Sequence, residues 1–129
     1  MHERHNFSIV STIKGKPLGL PFRRMKNETL GKKYLLSLVF IGDRRSRTLN
    51  KKYRKKDIPC NILTFPLSKE EGEIFINPRK AARDAPHFNT PGEHFIGHLF
   101  IHGLLHLKGF THGSKMNHKE QLMHRKFHL

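Results

Sequence analysis

Tryptophan is absent, cysteine occurs once, and acidic residues are outnumbered 10 to 25 by lysine and arginine in this 129-residue chain. The single cysteine, Cys60, excludes an intrachain disulfide and suits a reducing compartment. Long apolar runs are also missing. Tyr34 to Gly42, the longest early stretch without charge or histidine, is too short to span a bilayer, and MHERHNFSIVS lacks the apolar segment of a signal peptide. A cytoplasmic protein with no membrane partner is therefore expected. With no internal repeat or low-complexity segment, residues 1–129 are read as a single domain with one modest core.

What is abundant is positive charge, +15 net, and it is unevenly spread. Residues 1–66 hold 16 Lys and Arg against 4 Asp and Glu, whereas residues 67–129 hold 9 against 6. The densest run has eight basic residues and no acid: Arg44, Arg45, Arg47, Lys51, Lys52, Arg54, Lys55 and Lys56. Such a face attracts phosphates by releasing counterions, giving salt-dependent and largely sequence-independent affinity. A nucleic acid is the expected partner. A solubilising surface is the plainer alternative, and an anionic membrane fits poorly because the run has few large apolar anchors.

Histidine is the second excess, with 11 in the chain. His94, His98, His102 and His106 recur every four residues along an otherwise apolar stretch, so they climb one stripe of a buried helix. Thr90, Pro91 and Glu93 form a capping-box pattern at its start. His102 and His106 can offer two imidazoles to one metal ion, and Gly109 can turn the chain so that His112 supplies a third. This is the spacing of the metzincin motif H-E-x-x-H-x-x-G-x-x-H, except that Gly103 stands where the peptidases have their general base. Glycine cannot take a proton. Three histidines still leave an open coordination position and can bring the pKa of bound water to about 7, so a hydrolytic metal site without the peptidase glutamate is expected. His94 is read as a surface or core residue and His98 as packing beside the ligands. His118, His124 and His128 are read as solvated, and Cys60 as a small packing residue rather than a fourth ligand.

Periodicity gives the scaffold. Strands are expected at Phe7 to Ile13, Tyr34 to Ile41, Asn61 to Leu67 and Glu73 to Asn77, the last two as a hairpin through Gly72. Gly15 to Pro21 reads as turn. Helices are expected at Phe22 to Leu30, from Asp43 as cap to about Lys55 with Leu49 and Tyr53 inward, at Pro78 to Asp84, through the histidine stripe, and at Ser114 to Phe127. The fold class is α/β (α+β): one mixed sheet of about four strands with four to five helices, and the metal site at the end of one buried helix.

Two stretches resemble the YbeY family of bacterial metal-dependent endoribonucleases, known as ribosomal RNA maturation factors. HGLLHLKGFTH at 102–112 resembles H-G-x-L-H-L-x-G-Y-D-H, and LNKKYRKKDIPCNILTFP at 49–66 resembles L-N-x-x-Y-R-x-x-D-x-P-T-[DN]-V-L-S-F-P. GEIFIN at 72–77 fits a further family element. The resemblance implies that His102, His106 and His112 bind zinc and that Arg54 is catalytic, holding a phosphate bidentately as charge grows on it. It further implies a single-strand-specific endoribonuclease acting on rRNA precursors, notably the 3′ end of 16S rRNA, with ribosome components as partners and a monomer favoured. Arg44, Arg45, Arg47, Lys51, Lys52, Lys55 and Lys56 are the expected RNA-binding residues, and Asn50 and Asp57 are expected to be structural. The departures are Thr111 for aspartate, Phe110 for tyrosine, Cys60 for threonine and Thr64 for serine. Two other classes share these features: a non-catalytic ribosome-assembly protein with a structural metal, and a metallopeptidase.

Overall fold

Alternating apolar residues build the sheet that carries the site. The computed structural model describes residues 6–15 and 19–129, so the turn expected over Gly15 to Pro21 lies partly outside the described residues, as does the start of MHERHNFSIVS. The elements run β1 (Phe7–Ser11), α1 (Phe22–Leu30), β2 (Leu35–Phe40), α2 (Asp43–Arg54), β3 (Ile62–Ser68), β4 (Glu71–Ile76) and α3 (Pro78–Asp84). A 3₁₀ turn (Ala85–Phe88), α4 (Gly92–Lys108) and α5 (Ser114–Lys126) complete the described residues. Strand order is β1-β2-β4-β3, with β1, β2 and β4 parallel and β3 antiparallel to β4. The mixed four-stranded sheet with five helices is the expected class.

Period two sorts the sheet faces. Leu36, Leu38 and Phe40 of β2 and Gly72, Ile74 and Ile76 of β4 turn to one face, where each side chain or backbone is buried. That face receives α4, whose Phe95, Ile96, Leu99, Phe100, Ile101, Leu104 and Leu105 are all buried. Each such side chain contributes about 1.5–3 kcal/mol of burial free energy. Helix α4 also contacts α1, α3 and α5, which makes it the axis of the core. Two glycines let it sit close. A β-carbon on Gly72 would lie 2.6 Å from the Tyr34 hydroxyl and 2.8 Å from Leu107, and one on Gly103 would lie 3.0 Å from both Ile74 and Thr64.

Three local expectations are corrected. Gly72 is not the hairpin turn but a buried residue of β4, because Lys69 and Glu70 suffice to reverse the chain. The capping box does not form, since Pro91 takes the N-cap place with an extended ψ of 145° and the Thr90 hydroxyl donates instead to the Phe88 carbonyl, 2.9 Å away. On α2, Gly42 is the N-cap and Tyr53 is exposed, its ring meeting Phe65 edge-on at 4.9 Å. The inward residues of α2 are polar. Ser46 and Asn50 are buried there, and Asp43 accepts hydrogen bonds from Asn77 and Arg83, which hold its carboxyl below the usual range.

Candidate metal centre

The site begins with the end of α4. Gly109 adopts φ 111°, the left-handed region that glycine enters without β-carbon strain, and its N–H donates to the His106 carbonyl. The Phe110 N–H then donates to the Leu105 carbonyl at 3.0 Å, closing the turn. That reversal returns His112 to the helix. Ligand nitrogens of His102, His106 and His112 all lie within 4.8 Å of one another, and the ring centroids are 4.6 to 5.1 Å apart.

Hydrogen bonds fix how the imidazoles face. His102 Nδ1 donates to Glu120 Oε2 at 3.3 Å, and His106 Nδ1 donates to the Phe110 carbonyl at 3.1 Å. With both Nδ1 atoms protonated, both Nε2 atoms carry lone pairs, yet they approach to 3.0 Å. Two lone pairs at that separation repel unless a cation lies between them. Nitrogens each about 2 Å from a tetrahedral zinc lie roughly 3.3 Å apart, so the donor set fits a divalent ion. Burial lowers the His106 pKa, helped by its histidine neighbours, which keeps it in the neutral form a metal requires. Glu120, on α5, was not singled out from the sequence. Its signal was that it is the only acid between residues 94 and 129.

The three histidines open onto a cleft of about 690 Å³ that Arg54 and Lys56 also line. Strand β3 forms one wall through Ile62, Thr64 and Pro66, which share a face by alternation. A polar knot positions the two cations. Asn50 Nδ2 donates to the Ile58 carbonyl at 3.0 Å, Ser46 Oγ accepts from the Cys60 N–H at 3.3 Å, and Asn77 Nδ2 donates to Ser46 at 3.1 Å. These bonds pin the 55–61 connection to α2 and α3, and Asp57 joins them through Arg47 at 2.7 Å. Asn50 and Asp57 make the turn and helix-end hydrogen bonds expected of them. Cys60 is half-buried with its thiol pushed up by burial, and it lies outside the metal-ligand group.

The basic run divides. Lys55 takes a left-handed φ of 62° at the end of α2, so the chain reverses there. Arg54 and Lys56 meet the metal cleft, whereas Arg44, Arg47, Lys51, Lys52 and Lys55 line a separate depression of about 750 Å³ with Thr48 and Asp57. Arg45 is exposed on α2 and lines neither depression.

His118 and His128 are exposed as expected and His94 is a surface residue, whereas His124 is half-buried rather than solvated. It stacks on His98 with centroids 3.9 Å apart and planes 14° apart, because α5 folds back onto α4. Burial pushes its pKa down to about 4, with the charge of His98 adding to the effect, and burial followed by the charge of His94 lowers that of His98. Both imidazoles are neutral in the fold while the unfolded chain takes up protons near pH 6.5. The pair therefore leaves stability unchanged above that pH and reduces it as pH falls toward about 4. Urea unfolding is expected to show a loss of about 2 kcal/mol across that window, less than the full shift implies because His124 is partly exposed. A His124→Leu variant should flatten the profile; an unchanged profile in that variant would assign the loss elsewhere.

A family model described as Endoribonuclease YbeY matches residues 22–128. Endoribonuclease YbeY of Methylobacillus flagellatus is 34% identical over 121 residues, covering 92% of this chain and 80% of the relative. The Thermodesulfovibrio yellowstonii protein of that name is 38% identical over 85 residues, 60% of this chain and 54% of the relative. The chain thus spans about half the length of that relative, and 55% of the Ehrlichia canis one. The solution structure of TM1509 from Thermotoga maritima matches with a TM-score of 0.66 and 26% identity, covering 91% of this chain and 85% of that one. No helix among the described residues is long and apolar enough to cross a membrane. With its family model running from α1 past the end of α5, this chain belongs to the YbeY family.

Proposed function

We propose that the chain is a single-strand-specific endoribonuclease that hydrolyses phosphodiester bonds in rRNA precursors, the 3′ end of 16S rRNA among them, with zinc on His102, His106 and His112. The observation that carries this reading is the convergence of three imidazoles with Arg54 and Lys56 in one cleft. The relatives named Endoribonuclease YbeY support the reaction class. The protein acts as a cytoplasmic monomer on ribosome-bound or precursor RNA.

A divalent ion on these imidazoles supplies Lewis acidity and a water acidic enough to react near neutral pH. The protein's own groups do the rest. Arg54 holds the phosphate with two parallel N–H donors and stabilises the charge that grows on its oxygens. Lys56 adds a second positive charge to the same wall. Glu120 and the Phe110 carbonyl hold the two helical imidazoles in the tautomer that presents Nε2 to the cleft. Flanking RNA lies along the α2 depression, where Arg44, Lys52 and Lys55 act alongside Arg47 and Lys51, both shared with Asp57.

Packing disfavours the peptidase alternative. Gly103 is buried, and a β-carbon there would meet Ile74 and Thr64 at 3.0 Å and Ile62 at 3.2 Å, so the place of the peptidase glutamate has no room for that side chain. Arg54→Ala tests the assignment of the cation. Turnover on single-stranded RNA is expected to fall by about a hundredfold with one metal per chain retained. Loss of the metal from this variant would make Arg54 a structural residue instead.

A further inference from the structure

Beside the metal cleft lies a second cavity of about 480 Å³, and His102 lines both. Their linings differ in charge. Among the described residues, Arg54 and Lys56 face the first, whereas no lysine or arginine lines the second, which is bounded by Phe88, Phe95, Asn61, His98 and Glu120 among others. The Glu120 carboxylate is engaged by His102, so the described lining of the second cavity offers phosphate no lysine or arginine and offers a neutral ring an apolar wall.

Phe88 is the unusual member of that wall. It is 62% exposed, yet it is held in place: one face stacks on the buried Phe95 ring at 5.0 Å and 19°, and its carbonyl accepts from the Thr90 hydroxyl. Asn89 takes a left-handed φ of 51° and its N–H bonds to the Pro86 carbonyl, which closes the 3₁₀ turn beneath the ring. A lone exposed phenylalanine is ordinary on a protein surface. One that is rigid, stacked from below and set in a cavity sharing a metal ligand is a platform.

We propose that this cavity is a nucleobase subsite, in which the base adjacent to the scissile phosphate leaves its stack and lies against Phe88 while the phosphate meets Arg54. The proposal rests on the endoribonuclease reading and adds to it a physical source of single-strand preference. A nucleotide is an anion joined to a neutral aromatic ring, and the two adjoining cavities divide in the same way, cationic and uncharged-aromatic. A base paired in a duplex cannot reach the second cavity without unpairing, whereas an unpaired one needs only to unstack. Stacking on an aromatic side chain is tolerant of base identity, so the subsite selects for strand state rather than for sequence.

The test uses the whole 129-residue chain, loaded with zinc, and a short single-stranded RNA whose cut position has been mapped. Two probes are compared: the strand with 2-aminopurine beside the cut, and the same strand with an abasic ribose there. The parent should brighten the 2-aminopurine as it leaves its neighbouring bases, and bind that strand about tenfold tighter than the abasic one. Phe88→Ala should lose the brightening and bind both strands equally, at the parent's abasic affinity, with metal content unchanged; Phe88→Trp should restore the preference and quench the 2-aminopurine by direct contact with the indole. Equal binding of the two strands by the parent, or an equal loss on both in Phe88→Ala, overturns the subsite while leaving cleavage intact. A parent that neither binds nor cuts either strand overturns the nuclease reading, and the subsite with it.

Discussion

Alanine at both His102 and His106 is expected to empty the metal site and lower RNA cleavage at least about a thousandfold, equivalent to roughly 4 kcal/mol of transition-state stabilisation. The fold should survive. Both rings are only half-buried at the mouth of the cleft, so their removal leaves the packed face of α4 intact. Metal analysis, urea unfolding and cleavage on one preparation separate these effects. Cleavage that persists in a variant without metal would remove the three histidines from the reaction.

The second large effect is Gly103→Glu, which would restore the metzincin pattern on paper. Its β-carbon would meet Ile74 and Thr64 at 3.0 Å and Ile62 at 3.2 Å, and the carboxylate beyond it would be driven into the layer between α4 and the sheet. Burying an unpaired charged group there and displacing β3 is expected to cost at least about 3 kcal/mol. No peptidase activity should appear. Gly103→Ala makes the same contacts with one atom and gains helix propensity worth up to about 1 kcal/mol, so it should stay close to the parent. Urea unfolding of the two variants with a casein digestion assay decides the point. A stable Gly103→Glu protein that cuts peptide in a metal-dependent way would show that the position opens to the cleft after all.

Much of the site was legible because it is local. The three histidines lie within eleven consecutive residues, brought together by helical spacing and one left-handed glycine, and both devices are visible in a sequence. Helix α1 and helix α3 begin and end where periodicity put them, and the β3–β4 hairpin follows from two apolar runs. What stayed hidden depends on long-range packing. Glu120 reaches His102 only because α5 folds back onto α4, and the same packing buries His124 against His98. The inward face of α2 was misread because a helix that closes a polar knot buries Ser46 and Asn50 rather than its apolar Leu49 and Tyr53. The basic run reads as one surface because a string of lysines gives no sign that α2 ends at Arg54, that Lys55 turns left-handed, and that Arg54 and Lys56 line the metal cleft while the rest line another depression.

The measurement closest to the central claim is a metal titration read by two signals at once. Protein stripped of metal would receive zinc in steps while bound zinc and cleavage of a labelled single-stranded RNA are followed together. Cleavage is expected to rise in proportion to bound zinc and to saturate at one ion per chain, with the Arg54→Ala protein filling identically and cutting about a hundredfold more slowly. If the site fills to one ion and the RNA is bound but never cut, the three histidines are a structural clip and the account is contradicted.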